Sequence, residues 1–231
     1  MTGPHDDTRA RLLHAASEVF AEVGYQAATI RAICARADAN IALVNYHFRD
    51  KLGLYTALLQ RAAEENEAQL RGVRTAPTPE EGLRRFVRGM MRQLSQRDGP
   101  AWWAKVMGHE LVQQTPALAA AVEHVIARNA VVLCETVGGI LHRPSDDRTT
   151  RLCAVSIIGQ IVHYVHAGPV LGLLWPDVQM TDRQTVHEVA DHIIDFSLKA
   201  LRSVRRDSHP TPARRRLRGI RLVQSITEHG E

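Results

Sequence analysis

A chain of 231 residues, 45% hydrophobic and only 5% aromatic, has the composition of a soluble globular protein and is long enough to bury a full core. No run approaches the length of a membrane span, and Met1 to Asp7 has no apolar core of the signal-peptide kind. The three cysteines (Cys34, Cys134 and Cys153) are far apart without metal-type spacing and read as buried thiols of a reducing cytoplasm. The net charge of +4 says little about nucleic acid, because nine basic and three acidic residues lie from Lys199 onward, whereas the first 51 residues balance at six of each.

Alanine and leucine richness favours helices, and the chain reads as helices joined by short turns. Thr8 caps a predicted helix running to about Val23, with Leu12, Ala16, Val19, Phe20 and Val23 at helical spacing, and Gly24 ends it as a left-handed cap. Thr29 caps a second over Ile30 to Ala37. After the turn Asp38-Ala39-Asn40, Asn40 caps a third over Ile41 to about Phe48. A break at Arg49-Asp50 leads into a fourth from Lys51. Two short helices across a three-residue turn, braced by a longer first helix, make a helix-turn-helix.

Further on, Thr78-Pro79-Glu80-Glu81 is a capping box with proline in the first turn. Helices follow over Ala101 to Gln113, from Thr115-Pro116 to about Leu141, and from Asp146 or Asp147 to about Ala167. A second capping box, Thr181 to Gln184, opens a last helix to about Val204. Asp207 to Pro212 breaks the pattern, and Arg214 to Glu231 is basic and then polar, as a flexible tail or a loose extra helix is. The fold expected is all-α: a helix-turn-helix DNA-binding domain over residues 1–55, an antiparallel helical ligand-binding and dimerisation domain over 56–206, and the tail over 207–231.

Residues 8 to 59 resemble the DNA-binding domain of the TetR family. The likeness is carried by Phe20-Ala21-Glu22-Val23-Gly24-Tyr25, by Ala28-Thr29-Ile30-Arg31-Ala32-Ile33 through Ala37, and by Asn45-Tyr46-His47-Phe48 with Lys51 and Leu54-Tyr55. Asn40-Ile41-Ala42 before Asn45 is similar to the CecR-like subgroup, as are Thr115-Pro116-Ala117-Leu118 and the stretch from Gly159-Gln160-Ile161 to Pro169-Val170, so the likeness covers about residues 8 to 204. The resemblance implies a cytoplasmic homodimer on palindromic double-stranded operator DNA, a transcriptional regulator, commonly a repressor, with no cofactor and no membrane partner.

The third helix also carries its own signals. Val44 and Phe48 are four apart and face the core, with Ile41 on roughly the same side, so that Ala42, Asn45, Tyr46 and Arg49 face outward. Asn45 can bond an adenine edge, and Ala42 or Leu43 can touch a thymine methyl. The resemblance places Ile41 and Leu43 among base-facing residues instead, Tyr46, His47 and Lys51 at phosphates, and Thr29 and Arg31 at backbone and base; Asn40 completes the DNA-binding set. Asp38 stands where the family usually has glycine; aspartate tolerates left-handed geometry, at some cost in affinity near phosphates. Few long polar side chains occur on the recognition helix, which leaves a large role for DNA shape.

Leu152 to Val162 has almost no polar face, and Val186, Val189, Ala190, Ile193, Ile194, Ser197, Leu201 and Val204 form a stripe. Paired about a two-fold axis, these helices make a four-helix bundle; a buried intramolecular core is the other reading. Phe86, Met90, Trp102, Trp103, Met107, His109, Glu110 and His163 are the candidate lining of a pocket for a small hydrophobic or amphiphilic effector, against the alternative of ordinary core. His163 and His166 are three apart, but no cysteine or carboxylate nearby completes a metal site. With no phosphate loop, nucleophile motif or ligand set, no enzyme and no catalytic residue is expected. The functional expectation is a sequence-specific repressor released from DNA by its effector. A constitutive, architectural DNA binder acting through its basic tail is the alternative.

Overall fold

The computed structural model describes residues 4–95, 101–113, 115–180 and 182–206, and every regular element among them is helical. The first four are α1 (Pro4–Ala27), α2 (Ile30–Ala37), α3 (Ile41–Phe48) and α4 (Lys51–Arg74). Local chemistry sets their ends. Thr29 is extended and its hydroxyl accepts from Ala32 N–H at 3.1 Å, while Asn40 Oδ1 accepts from Ala42 N–H at 2.9 Å. Asp38 takes the left-handed conformation expected of it (φ 48°, ψ 56°). Asp50 caps α4 through Gly53 N–H at 2.7 Å, and Gly53 must be glycine, since a Cβ there would lie 1.9 Å from the Phe48 carbonyl oxygen.

Gly24 breaks the first helix where its end is expected, with positive φ, but its φ of 74° and ψ of 170° belong not to the left-handed helix but to a region that is essentially glycine-only. Beyond this kink a short helical stretch runs on to Ala27.

The remaining elements are α5 (Pro79–Ser95), α6 (Ala101–Gln113), α7 (Pro116–Ala121), α8 (Ala127–Leu141), α9 (Arg148–Leu174) and α10 (Arg183–Arg206). The single helix expected from Pro116 to Leu141 is interrupted by a π-helical turn at Val122–Ile126. α9 runs through Pro169 to Leu174, past its expected end at Ala167. Its end is held by buried Leu171 and by Gly168, which lies against the Met180 side chain. Asp182 caps α10, accepting from Thr185 N–H at 2.8 Å and its hydroxyl at 3.0 Å; Thr181 and the tail from residue 207 lie outside the described residues.

One continuous hydrophobic cluster joins both halves of the chain, from Leu12, Phe20, Ile33, Val44, Leu54 and Tyr55 to Phe86, Met91, Leu133 and Ile194. Each such large apolar side chain contributes roughly 1.5–3 kcal/mol through burial. α6 packs against α1, α4 against α5, α7 and α8, and α10 against α5 and α8.

Three apolar features differ from expectation. The stripe on α10 is buried within its own chain, as Ala190, Ile193, Ile194, Ser197 and Leu201 all are, because α5 and α8 already cover it. α9 is covered on one face only, through Ala154, Ile157 and Ile161, while Leu152, Val155 and Val170 are exposed. Pro116–Leu141 and Arg148–Leu174 are moreover long and apolar enough, by length and composition, to cross a membrane, which corrects the expectation that no run approaches that length.

Candidate nucleic-acid interface

The faces of α3 are set by what lies beneath them. Val44 and Phe48 are buried on α2 and α4, whereas Ala42, Asn45, Tyr46 and Arg49 are exposed, Tyr46 by 74%. Ile41 shares the angular stripe of Val44 and Phe48 but is 44% exposed, because it sits in the first helical turn, beyond the reach of the core. It is therefore an outward residue and not an anchor. Leu43 is half-buried against the core. His47 is half-buried with its ring at 5.0 Å from that of Tyr46 and 5.9 Å from that of Phe48, and its Nε2 is buried without a hydrogen bond. Arg31 is exposed on α2. Thr29 and Asn40 accept through their oxygens as caps, which leaves the Thr29 hydroxyl proton and the Asn40 amide hydrogens outside those bonds.

Lys51 is placed differently from a phosphate contact. Its ammonium donates to the carbonyls of Tyr25 (3.0 Å), Gln26 (3.3 Å) and Ala28 (3.0 Å) and stands 4.5 Å above the Tyr25 ring. The kink at Gly24 and the end of α1 leave these carbonyls beside the start of α4, where a cation with three donors satisfies them. The three protons needed for phosphate are thereby committed to backbone. Sequence spacing gave no sign of this, since the partners are more than twenty residues away.

Under this lock lies an aromatic triad. Phe20 and Tyr25 are 5.8 Å apart, Phe20 and Tyr55 5.1 Å edge-on, and Tyr25 and Tyr55 5.2 Å. Burial pushes the Tyr55 phenol well above its ordinary range, and the charges of Glu110 and Tyr25 add to that; its hydroxyl has no hydrogen-bond partner.

The expected effector lining is split. Phe86 and Trp103 are buried, and Met90, Trp102 and Met107 half-buried, in the same hydrophobic cluster, the two tryptophan rings meeting edge-on at 5.8 Å. His109 instead faces α1, where a Cβ on Gly24 would stand 3.0 Å from its Cγ. Glu110 is fully buried and latches the α6–α7 turn, accepting from Thr115 N–H at 3.1 Å and from the Thr115 hydroxyl at 2.8 Å. Both side chains are engaged at joints between elements. His163 is exposed on α9 in an open groove of about 610 Å³ shared with Gln160, Tyr164, Leu171 and Trp175. His166 turns the other way, its Nε2 lying 3.0 Å from the Ala104 carbonyl oxygen on α6. No metal-holding cluster occurs among the described residues.

Among the buried polar residues that sequence reasoning passed over is a pair of amides. Asn66 and Asn129 are buried and hydrogen-bonded at 3.1 Å between α4 and α8. The signal was present: Asn66 interrupts the apolar stripe of Ala62, Ala63, Leu70 and Val73 on α4.

Comparison with known proteins gives matches to two family models. Residues 12–58 match that of bacterial regulatory proteins of the tetR family, and residues 79–201 match the C-terminal domain of the HTH-type transcriptional dual regulator CecR. The HTH-type transcriptional activator FasR of Mycolicibacterium smegmatis is 40% identical over 85 residues, which cover 36% of this chain and 39% of that relative's length. Among solved structures, FadR from Bacillus subtilis in complex with stearoyl-CoA has a TM-score of 0.63 at 17% identity, covering 82% of this chain and 97% of that one. FadR from Bacillus halodurans has 0.62 at 21% identity, covering 84% and 96%. A TetR-like transcriptional regulator from Rhodococcus has 0.63 at 20% identity, covering 84% and 96%.

Proposed function

The chain belongs to the tetR family of bacterial regulatory proteins and is a DNA-binding transcriptional regulator, and from this premise we propose a repressor that works as a homodimer and leaves its operator when a small molecule binds. The observation that carries the reading is the division of α3, with Val44 and Phe48 anchored and Ala42, Asn45 and Tyr46 presented to solvent. In this reading Asn45, Ala42 and Leu43 meet base edges in the major groove, with Ile41 beside them. Tyr46, His47, Asn40, Thr29 and Arg31 hold the backbone, and Lys51 acts indirectly by fixing the end of α1. Residues 1–55 form the reading head and 56–206 the effector-binding and dimerising unit.

Dimerisation is supported by the apolar surface that one chain leaves open: Leu152, Val155 and Val170 on α9 and Phe196 on α10. A second copy would cover it isologously, with α9 as the principal element rather than the α10 stripe, which is already used. Such a dimer presents two α3 helices to a palindrome in the cytoplasm. The effector, a small hydrophobic or amphiphilic molecule, would act by binding the DNA-incompetent arrangement more tightly. No catalytic role is part of this reading.

Selection from randomised duplex DNA tests it. An enriched palindrome with wild type, degraded at one position per half-site with Asn45→Ala, is the expected result; salt-sensitive binding without enrichment would sink it. Because the relative FasR is named an activator, activation is a second reading. A reporter carrying the selected operator separates the two by the sign of its response to the protein.

A further inference from the structure

The interior where α4, α5 and α8 meet carries three amides, beside the buried Thr136 hydroxyl that donates to the Val132 carbonyl. Asn66 is 4% exposed and Asn129 8%. Asn66 Nδ2 donates to Asn129 Oδ1 at 3.1 Å, and Asn129 Nδ2 donates at 3.0 Å to the carbonyl of Val125 in the π-helical turn. These bonds satisfy Asn129 and leave two buried atoms unpaired: the acceptor Asn66 Oδ1 and the donor Gln69 Nε2. Gln69 follows Asn66 by three residues, on the same face of α4. Its amide occupies the notch made by Gly89 of α5, where a Cβ would stand 2.2 Å from Gln69 Nε2. Phe86 precedes Gly89 by three residues on the same face of α5 and is fully buried.

A buried acceptor and a buried donor left unpaired one turn apart are costly unless something bridges them. We propose that Asn66 and Gln69 form the polar end of the effector site, and that it takes a neutral head group that both donates and accepts, a carboxamide carried on an apolar body. The inference rests on the effector-gated reading above and gives the effector its chemistry. The amide N–H of the ligand donates to Asn66 Oδ1, its carbonyl accepts from Gln69 Nε2, and its apolar body lies toward Phe86. A carboxylate would set a second acceptor against Asn66 Oδ1, and an ammonium would set a second donor against Gln69. The charges adjacent in sequence, Glu67 and Arg128, pair with each other at 3.8 Å at the surface and offer no counter-ion inside. Asn66 belongs to the helix that enters the DNA-reading head, and its tie to Asn129 holds that helix to α8. A head group bonded to Asn66 Oδ1 and Gln69 Nε2 loads α4 beside that tie, which Asn66 makes through Nδ2, and so shifts how α4 sits.

The test uses the full-length protein with octanamide, methyl octanoate and octanoate as probes. Calorimetry measures binding, and fluorescence anisotropy measures operator affinity. Octanamide should bind about tenfold or more tighter than either other probe. Asn66→Leu should weaken octanamide about tenfold and leave methyl octanoate unchanged, whereas Gln69→Met removes the donor to the carbonyl that both probes share and should weaken both. If Asn66→Leu does not fold, Gln69→Met carries the test through that joint loss. Absent octanamide binding, equal affinity for the three probes, or octanamide binding unaltered in the folded variants would overturn the site. Octanamide bound through Asn66 without a change in operator affinity would support the site and remove the gating. An operator response to octanamide that is equal in wild type and variants would support the gating and overturn the site.

Discussion

Gly24 of α1 and His109 of α6 meet so closely that a Cβ on Gly24 would come within 3.0 Å of His109 Cγ. The same glycine holds a φ of 74° and ψ of 170°, so Gly24→Ala meets both backbone strain and a clash. We expect a loss of roughly 1–3 kcal/mol in urea unfolding. Adding His109→Ala should recover the clash but not the strain, leaving the double variant between the two. Full recovery would show that backbone geometry at Gly24 costs nothing.

Lys51→Met removes three charge-assisted bonds to backbone carbonyls. It should lower stability by about 1–3 kcal/mol while leaving the slope of log affinity against log salt concentration unchanged. A slope smaller by about one phosphate would return Lys51 to the DNA contacts.

Asn45→Ala should cost about 1–3 kcal/mol of discrimination at one base pair per half-site, with little effect on non-specific binding. Quantitative binding to the single-base variants of a selected operator reads this directly.

Val155→Arg and Phe196→Glu alter side chains that are 67% and 58% exposed, so each chain should fold with an unchanged helical signal. Self-association measured by sedimentation should weaken by roughly tenfold or more, since a charge is buried where an apolar surface was. Unaltered dimers in both variants would place the interface elsewhere.

Stability should fall on acidification through two helix caps. Burial pulls Asp147 upward, but donation from Thr150 and Thr149 N–H and from Arg143 outweighs it, and its carboxyl lies below the ordinary range. Asp182 is lowered by the N–H and hydroxyl of Thr185. A depressed folded pKa gives stability that is complete above the unfolded value, about 3.9, and is lost as pH drops through the folded one. Thermal midpoints between pH 5 and 2 should drop for wild type and less steeply for Asp147→Asn, which caps without titrating.

The reading head was legible because its signals are local. Thr29 and Asn40 cap the helices that follow them at once, and Asp38 turns left-handed directly after α2 and two residues before Asn40. What failed to show depends on position along an axis or on distant partners. The helical angle of Ile41 is that of a core residue, and only its place in the first turn exposes it. The α10 stripe was visible as a stripe, but which surface covers it depends on α5, a hundred positions away. His109 and Glu110 fit the composition of a pocket wall, and only the packing of α6 on α1 and the bonds of Glu110 to Thr115 show that they serve joints. Nothing in Val122-Glu123-His124-Val125-Ile126 marks a π turn, because each residue there suits an ordinary helix equally well.

Lys51 starts α4 yet holds the carbonyls that close α1, so the part that would read DNA has no wrist. In the effector-gated reading proposed above, a disturbance travelling along α4 would leave the head's shape alone and move it whole. Two copies would then report an effector through the distance and tilt between their heads. Operators that differ by one base pair in half-site separation should feel the effector more than operators that differ in one letter.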